Sequence, residues 1–107
     1  MKANDKFITA RVHYQTTNQR GFYKPVKEGL RCSLWLDESN FTAAEWRSMS
    51  KPVLLPGEIC DVAMLTINSK IWEHVKVGDK MFWGVPYESI GELEILGLDT
   101  LEFIPTS

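Results

Sequence analysis

Apolar and polar residues alternate along much of this chain. In FITARVHY (7–14), Ile8, Ala10, Val12 and Tyr14 fall on one side, with Phe7, Thr9, Arg11 and His13 on the other. LRCSLWLD (30–37) sets Leu30, Cys32, Leu34 and Leu36 against Arg31, Ser33, Trp35 and Asp37. In EICDVAMLTI (58–67), Cys60, Val62 and Met64 share one side. A two-residue period is that of a strand with one face in a core. DKMFWGV (79–85) and IGELEILGL (90–98) read as two further strands separated by the turn PYES, the second anchored by Ile90, Leu93 and Ile95. TLEFIPTS (100–107) reads as a short last strand that Pro105 ends.

The segments between are less regular. SNFTAAEW (39–46) carries Thr42 and Glu45 at capping-box spacing around Ala43 and Ala44, which suits a short helical turn near residues 41–47; a hairpin crossing fits equally. Pro56 and Gly57 mark a turn. INSKIWEHVKVGDK (67–80) reads as a connection, with Ile71, Trp72, Val75 and Val77 free to pack beneath it. Six or so strands with turns between them predict an all-β closed barrel or sandwich.

A length of 107 residues, 44% hydrophobic and 24% charged, suits one globular domain spanning 1–107. No run is long enough for a membrane span, and MKANDKFITA lacks the apolar core of a signal peptide, so a cytoplasmic location is expected. Cys32 and Cys60, without metal-ligand spacing, are expected to be buried free thiols, and neither they nor His13 and His74 suggest a metal site or cofactor. Charge is polarised. Residues 1–31 carry seven Lys and Arg against Asp5 and Glu28, whereas residues 84–107 carry five acids and no base.

That polarity bears on function. In TTNQRGFYKPVKEGLR (16–31), Arg20, Lys24, Lys27 and Arg31 are interleaved with Phe22 and Tyr23, a composition that can neutralise phosphates and stack a base. Against RNA stand a sequence pI near 5.6 and the acidic C-terminal hairpin. The four tryptophans, Trp35, Trp46, Trp72 and Trp83, exceed what one small core readily absorbs and are candidate anchors of a protein interface. Catalytic signals are poor. Glu92 and Glu94 read as a solvated strand face, and Asp61 and His74 have no nucleophile in a recognisable context. No G-x-x-x-x-G-K-[ST] occurs, so neither GTP binding nor GTP hydrolysis is expected.

Three blocks, in order, resemble the third (C-terminal) β-barrel domain of elongation factor Tu and its translational-GTPase relatives. GFYKPVKEGLR (21–31) is similar to that family's Gly-Arg-x-x-Pro…Gly-Tyr-Arg-Pro block, and LPGEICDVAML (55–65) to its Pro-Gly-Asp/Glu turn and following strand. VGDKMFWGVPYESIGELEIL (77–96) is similar to its Gly-x-x-Phe strand, turn and final Val-Gly-x-Gly strand. The resemblance implies a six-stranded antiparallel closed barrel. It keeps Pro25, Gly29, Arg31, Pro56, Gly57, Gly78, Phe82 and Gly91, yet Phe22 stands where the family has Arg, and Asp37-Glu38-Ser39 where it has Arg-Thr-Thr. In the family this domain helps hold aminoacyl-tRNA, so the departures imply a kept scaffold with its RNA site lost.

The leading expectation is therefore a non-enzymatic module for a protein partner or for a second copy of itself. RNA binding through residues 20–31, and a small immunity protein that blocks a toxin, are the alternatives. If RNA is the ligand, Arg20, Lys24 and Lys27 to Ala should weaken binding and flatten its salt dependence, read as the slope of log affinity against log salt.

Overall fold

The computed structural model describes residues 5–15, 24–67, 70–85 and 88–98. Its strands are β1 (Asp5–Tyr14), β2 (Arg31–Asp37), β3 (Asn40–Met49), β4 (Ile59–Ile67), β5 (Lys80–Val85) and β6 (Glu88–Leu98). They close into an antiparallel barrel in the order β1-β4-β3-β2-β5-β6. Strands β2, β3 and β4 follow one another as neighbours and β5 returns beside β2, the Greek-key arrangement. Closure leaves no outer strand without a neighbour. It also lays the basic β1 beside the acidic β6, with Arg11 directly opposite Glu94. The shortest seam is β2 with β5, which pairs only Ser33 with Gly84, Leu34 with Trp83 and Trp35 with Phe82.

The predicted inward faces line the core. Ile8, Ala10, Val12 and Tyr14 of β1 meet Cys32 and Leu34 of β2, Cys60, Val62 and Met64 of β4, and Ile90, Leu93 and Ile95 of β6, all buried. Residues 41–47 form no helical turn; they belong to β3. The capping-box and alanine signals there are local and worth about 1 kcal/mol, whereas the strand form pairs β3 with both neighbours and buries Ala44, Trp46 and Ser48 at a two-residue period. The hairpin before it is fixed by Asp37, whose carboxylate accepts from the Ser39 and Asn40 amides at 2.8 and 3.0 Å and from the Asn40 side chain at 2.9 Å. These bonds, the Asn40 side chain first, hold the Asp37 carboxyl below its usual pKa.

Both ends of the barrel are plugged. At one, Val26 and Leu54 exchange backbone hydrogen bonds of 2.9 and 2.8 Å and are buried, while the Tyr14 hydroxyl donates to the Lys24 carbonyl at 2.9 Å. The Pro56-Gly57 turn lies there too: Gly57 has φ 88°, Glu58 N–H reaches Leu55 O at 3.0 Å, and Gly57 N–H reaches Tyr14 O at 2.7 Å. A positive φ after Pro is the geometry of a type II turn. At the other end a 3-10 turn, Lys70–His74, buries Ile71 and Trp72, with Val75 following; the Trp72 indole donates to Ile67 O at 3.0 Å. Val77 does not pack there and is exposed. No helix among the described residues is long and apolar enough to cross a membrane. The short last strand expected at 100–107 and residues 86–87 of the PYES turn lie outside the described residues.

The centre is aromatic. Trp83 lies 5.6 Å from Tyr14 edge-on and 5.1 Å from Trp46, ring centre to ring centre. Its indole crosses Gly91, its paired residue on β6, and donates to the His13 carbonyl on β1 at 2.9 Å. A Cβ at Gly91 would collide with both His13 O and the Trp83 ring. Beside this cluster the Trp46 indole N–H has no well-formed hydrogen bond among the described residues, only the buried Cys32 thiol for a polar neighbour.

Two predictions follow from this packing. Gly91→Ala should lose more than about 3 kcal/mol in urea unfolding, since rigid backbone meets the new methyl. Gly29→Ala, at φ 95° but in open space, should lose only about 1 kcal/mol; equal losses would refute the account of Gly91. Burial also pushes the Cys32 thiol from 9.0 up to about 12 and raises Tyr14 as well. The unfolded chain therefore gives up these protons first. The Cys32 contribution is full below pH 9 and is lost as pH rises towards about 12. In denaturant midpoints measured across that range, Cys32→Ala should decline less steeply than the parent.

Candidate functional site

The outward residues of β3, β2, β5 and β6 come into line through the barrel's register. Phe41 stands opposite Trp35, Trp35 opposite Phe82, and Phe82 opposite Glu92. Directly paired residues on neighbouring strands point to the same face, so three aromatic rings and a carboxylate form a row across four strands. Phe41 is 64% exposed and Phe82 43%, while Trp35 between them is half-buried. Leu36 is the extra residue of a bulge and leans towards the core, which bends β2 just past Trp35. Beside the row, Ala43, Glu45, Leu65 and Ile67 with Arg31 line a shallow depression of about 340 Å³ whose floor is apolar. Ala43 is the next outward position after Phe41, so the two surfaces are continuous.

Three of the four candidate tryptophans are buried in the barrel. Trp46 and Trp83 are fully buried and Trp72 is 5% exposed. In β5 a two-residue period forces Phe82 and Trp83 to opposite faces without saying which goes in. The cavity over Gly91 and the acceptor at His13 suit the indole, so Trp83 turns inward and Phe82 outward. Trp46 follows the inward positions of β3, and Trp72 caps an end. Only Trp35 remains on the surface, and its partners Phe41 and Phe82 are not among the candidate site residues of the sequence, where Phe82 counts as part of the kept scaffold. The usable signal was alternation: once Trp83 is inward, Phe82 must be outward.

The basic candidates are dispersed. Lys24 and Lys27 are exposed on the connection that buried Val26 pins to the barrel end. Arg31 opens β2 and its Nε donates to Glu45 at 3.2 Å, a carboxylate that also accepts from Arg47 at 3.1 Å. Such exposed pairs are weak, about 0–1 kcal/mol, yet they offset the Arg31 charge locally. Arg20 lies outside the described residues, as do Phe22 and Tyr23.

Catalytic geometry is not assembled from the residues considered. Asp61 accepts from Arg11 Nε at 3.0 Å, while His74 sits exposed in the 3-10 turn at one barrel end. That bond, then the charge of Asp61, raises the Arg11 pKa. Arg11 faces Glu94 on its other side, and Glu94 faces Lys80, so Asp61, Arg11, Glu94 and Lys80 alternate in sign across four strands. Glu92 and Glu94 are both exposed. Among the described residues no group of three or more His, Cys, Asp or Glu is placed to hold a metal ion. Compared with protein-family models, curated proteins and solved structures, the chain matches none, so the resemblance to the elongation factor Tu domain rests on its sequence blocks.

Proposed function

We propose that this chain is a non-enzymatic binding module that takes a protein partner on the row Phe41–Trp35–Phe82. The observation that carries the reading is the alignment of these rings on neighbouring strands, two of them well exposed. Aromatic side chains held rigidly on a sheet lose little entropy on binding and are the commonest interface anchors. The neighbouring Asp61–Arg11–Glu94–Lys80 row matches its own charges and has less need of a partner. The six-stranded closed barrel and the sequence blocks support treating the scaffold as a stand-alone relative of the elongation factor Tu third domain, turned from RNA to protein. A cytoplasmic setting goes with that reading. The Arg31–Glu45 pair and the acid opposite Phe82 disfavour a polyanion on this face.

The test is a pull-down of tagged protein from its own lysate, with and without RNase, comparing the parent with the double variant Phe41→Ser, Phe82→Ser. A protein that survives RNase and is lost from a normally folded double variant is the expected result. Capture of RNA alone, unchanged by the double variant but lost on changing Lys24 and Lys27, would move the function to the basic connection.

A further inference from the structure

We infer that the segment this row accepts is basic: an extended peptide of the partner that lays a Lys or Arg cation over Trp35 and Phe82, against the carboxylate of Glu92. The inference rests on the protein-binding reading and adds the chemistry of what is bound.

Three observations carry it. First, Glu92 stands on the exposed face between Phe82 of β5 and His13 of β1, and its carboxylate makes no hydrogen bond or ion pair among the described residues. A carboxylate beside aromatic faces is a complementary site for a cation, because the ring quadrupole and the negative charge attract it together. Second, the charge near the row is unbalanced in the same sense. Asp37 is exposed two residues beyond Trp35 and is held ionised by the Ser39 and Asn40 bonds, with Glu38 exposed next to it. Of the bases around it, Lys80 faces Glu94, and Arg31 and Arg47 share Glu45, while His13 stands across from Glu92 itself.

Third, the size fits a short segment better than a second copy of the chain. At their observed exposures, Phe41 and Phe82 each present on the order of 100 Å², whereas a stable dimer needs about 800 Å² from each partner. Neighbouring strands are about 4.8 Å apart, so the row from Phe41 to Glu92 spans about 14 Å, or about four extended residues.

The probe is a capped hexa-arginine peptide, with its neutral citrulline counterpart, hexa-uridylate and a β-linked glucose hexamer as competitors, titrated by calorimetry. Binding is followed in parallel by the emission of Trp35, the one tryptophan with surface exposure. Hexa-arginine should bind at least about tenfold more tightly than the citrulline peptide, a difference of about 1.4 kcal/mol. Glu92→Gln should weaken it about threefold to tenfold and reduce its salt dependence. The double variant Phe41→Ser, Phe82→Ser keeps every charge and should abolish the Trp35 response; arginine binding that survives there is general attraction to an acidic protein and overturns the inference. Equal affinity for the citrulline peptide, or preference for the RNA or the sugar, overturns it too. In the pull-down, a partner lost from the double variant but kept by Glu92→Gln would sink this inference alone. A partner kept by the double variant would sink the protein-binding reading with it.

Discussion

The barrel is organised around one ring laid over one glycine. Trp83 leaves β5, crosses Gly91 on β6 and ends in a hydrogen bond to His13 O on β1, so a single side chain spans three consecutive strands. Tyr14 and Trp46 then pack against that ring, and Tyr14 carries the contact on to the Lys24 connection and the Pro56-Gly57 turn. The polar end of the indole is satisfied inside the core, and a buried N–H left unpaired costs about 1–3 kcal/mol. Trp46, with only the Cys32 thiol near its N–H among the described residues, bears part of that cost.

That constraint also sets the surface. With Trp83 committed inward, the two-residue period sends Phe82 out, and the register places it beside Trp35 and across from Glu92. The hairpin held by Asp37 brings Phe41 to the other side of Trp35. The exposed row is therefore a by-product of core geometry in its placement, but not in its composition. Phe41 is too exposed to fill the core, and Thr would suit a strand there as well.

Much of this was legible in the sequence. The alternation in FITARVHY, LRCSLWLD and EICDVAMLTI assigned the inward faces of β1, β2 and β4 because each strand has one consistently apolar side. Residues 41–47 were less legible, since Thr42, Ala43, Ala44 and Glu45 carry local helical preferences that only pairing with β2 and β4 overrides. MFW was ambiguous for another reason. Two adjacent aromatics satisfy a strand period in either orientation, and the choice depends on a glycine eight positions away in sequence and on a carbonyl 70 positions away. The row itself joins residues 35, 41, 82 and 92, whose alignment is a property of register that a linear reading does not contain.

The three-pair seam between β2 and β5 has a mechanical meaning. Trp35 and Phe82, the heart of the exposed row, are one of those pairs and sit on its two sides. Local opening of a barrel starts where the fewest ladder bonds must break, and here the opening would drive these two rings apart. Whatever rests across both acts as a clasp on the weakest joint. A partner bound there and closure of the barrel would then share a single equilibrium, each favouring the other by the same free energy.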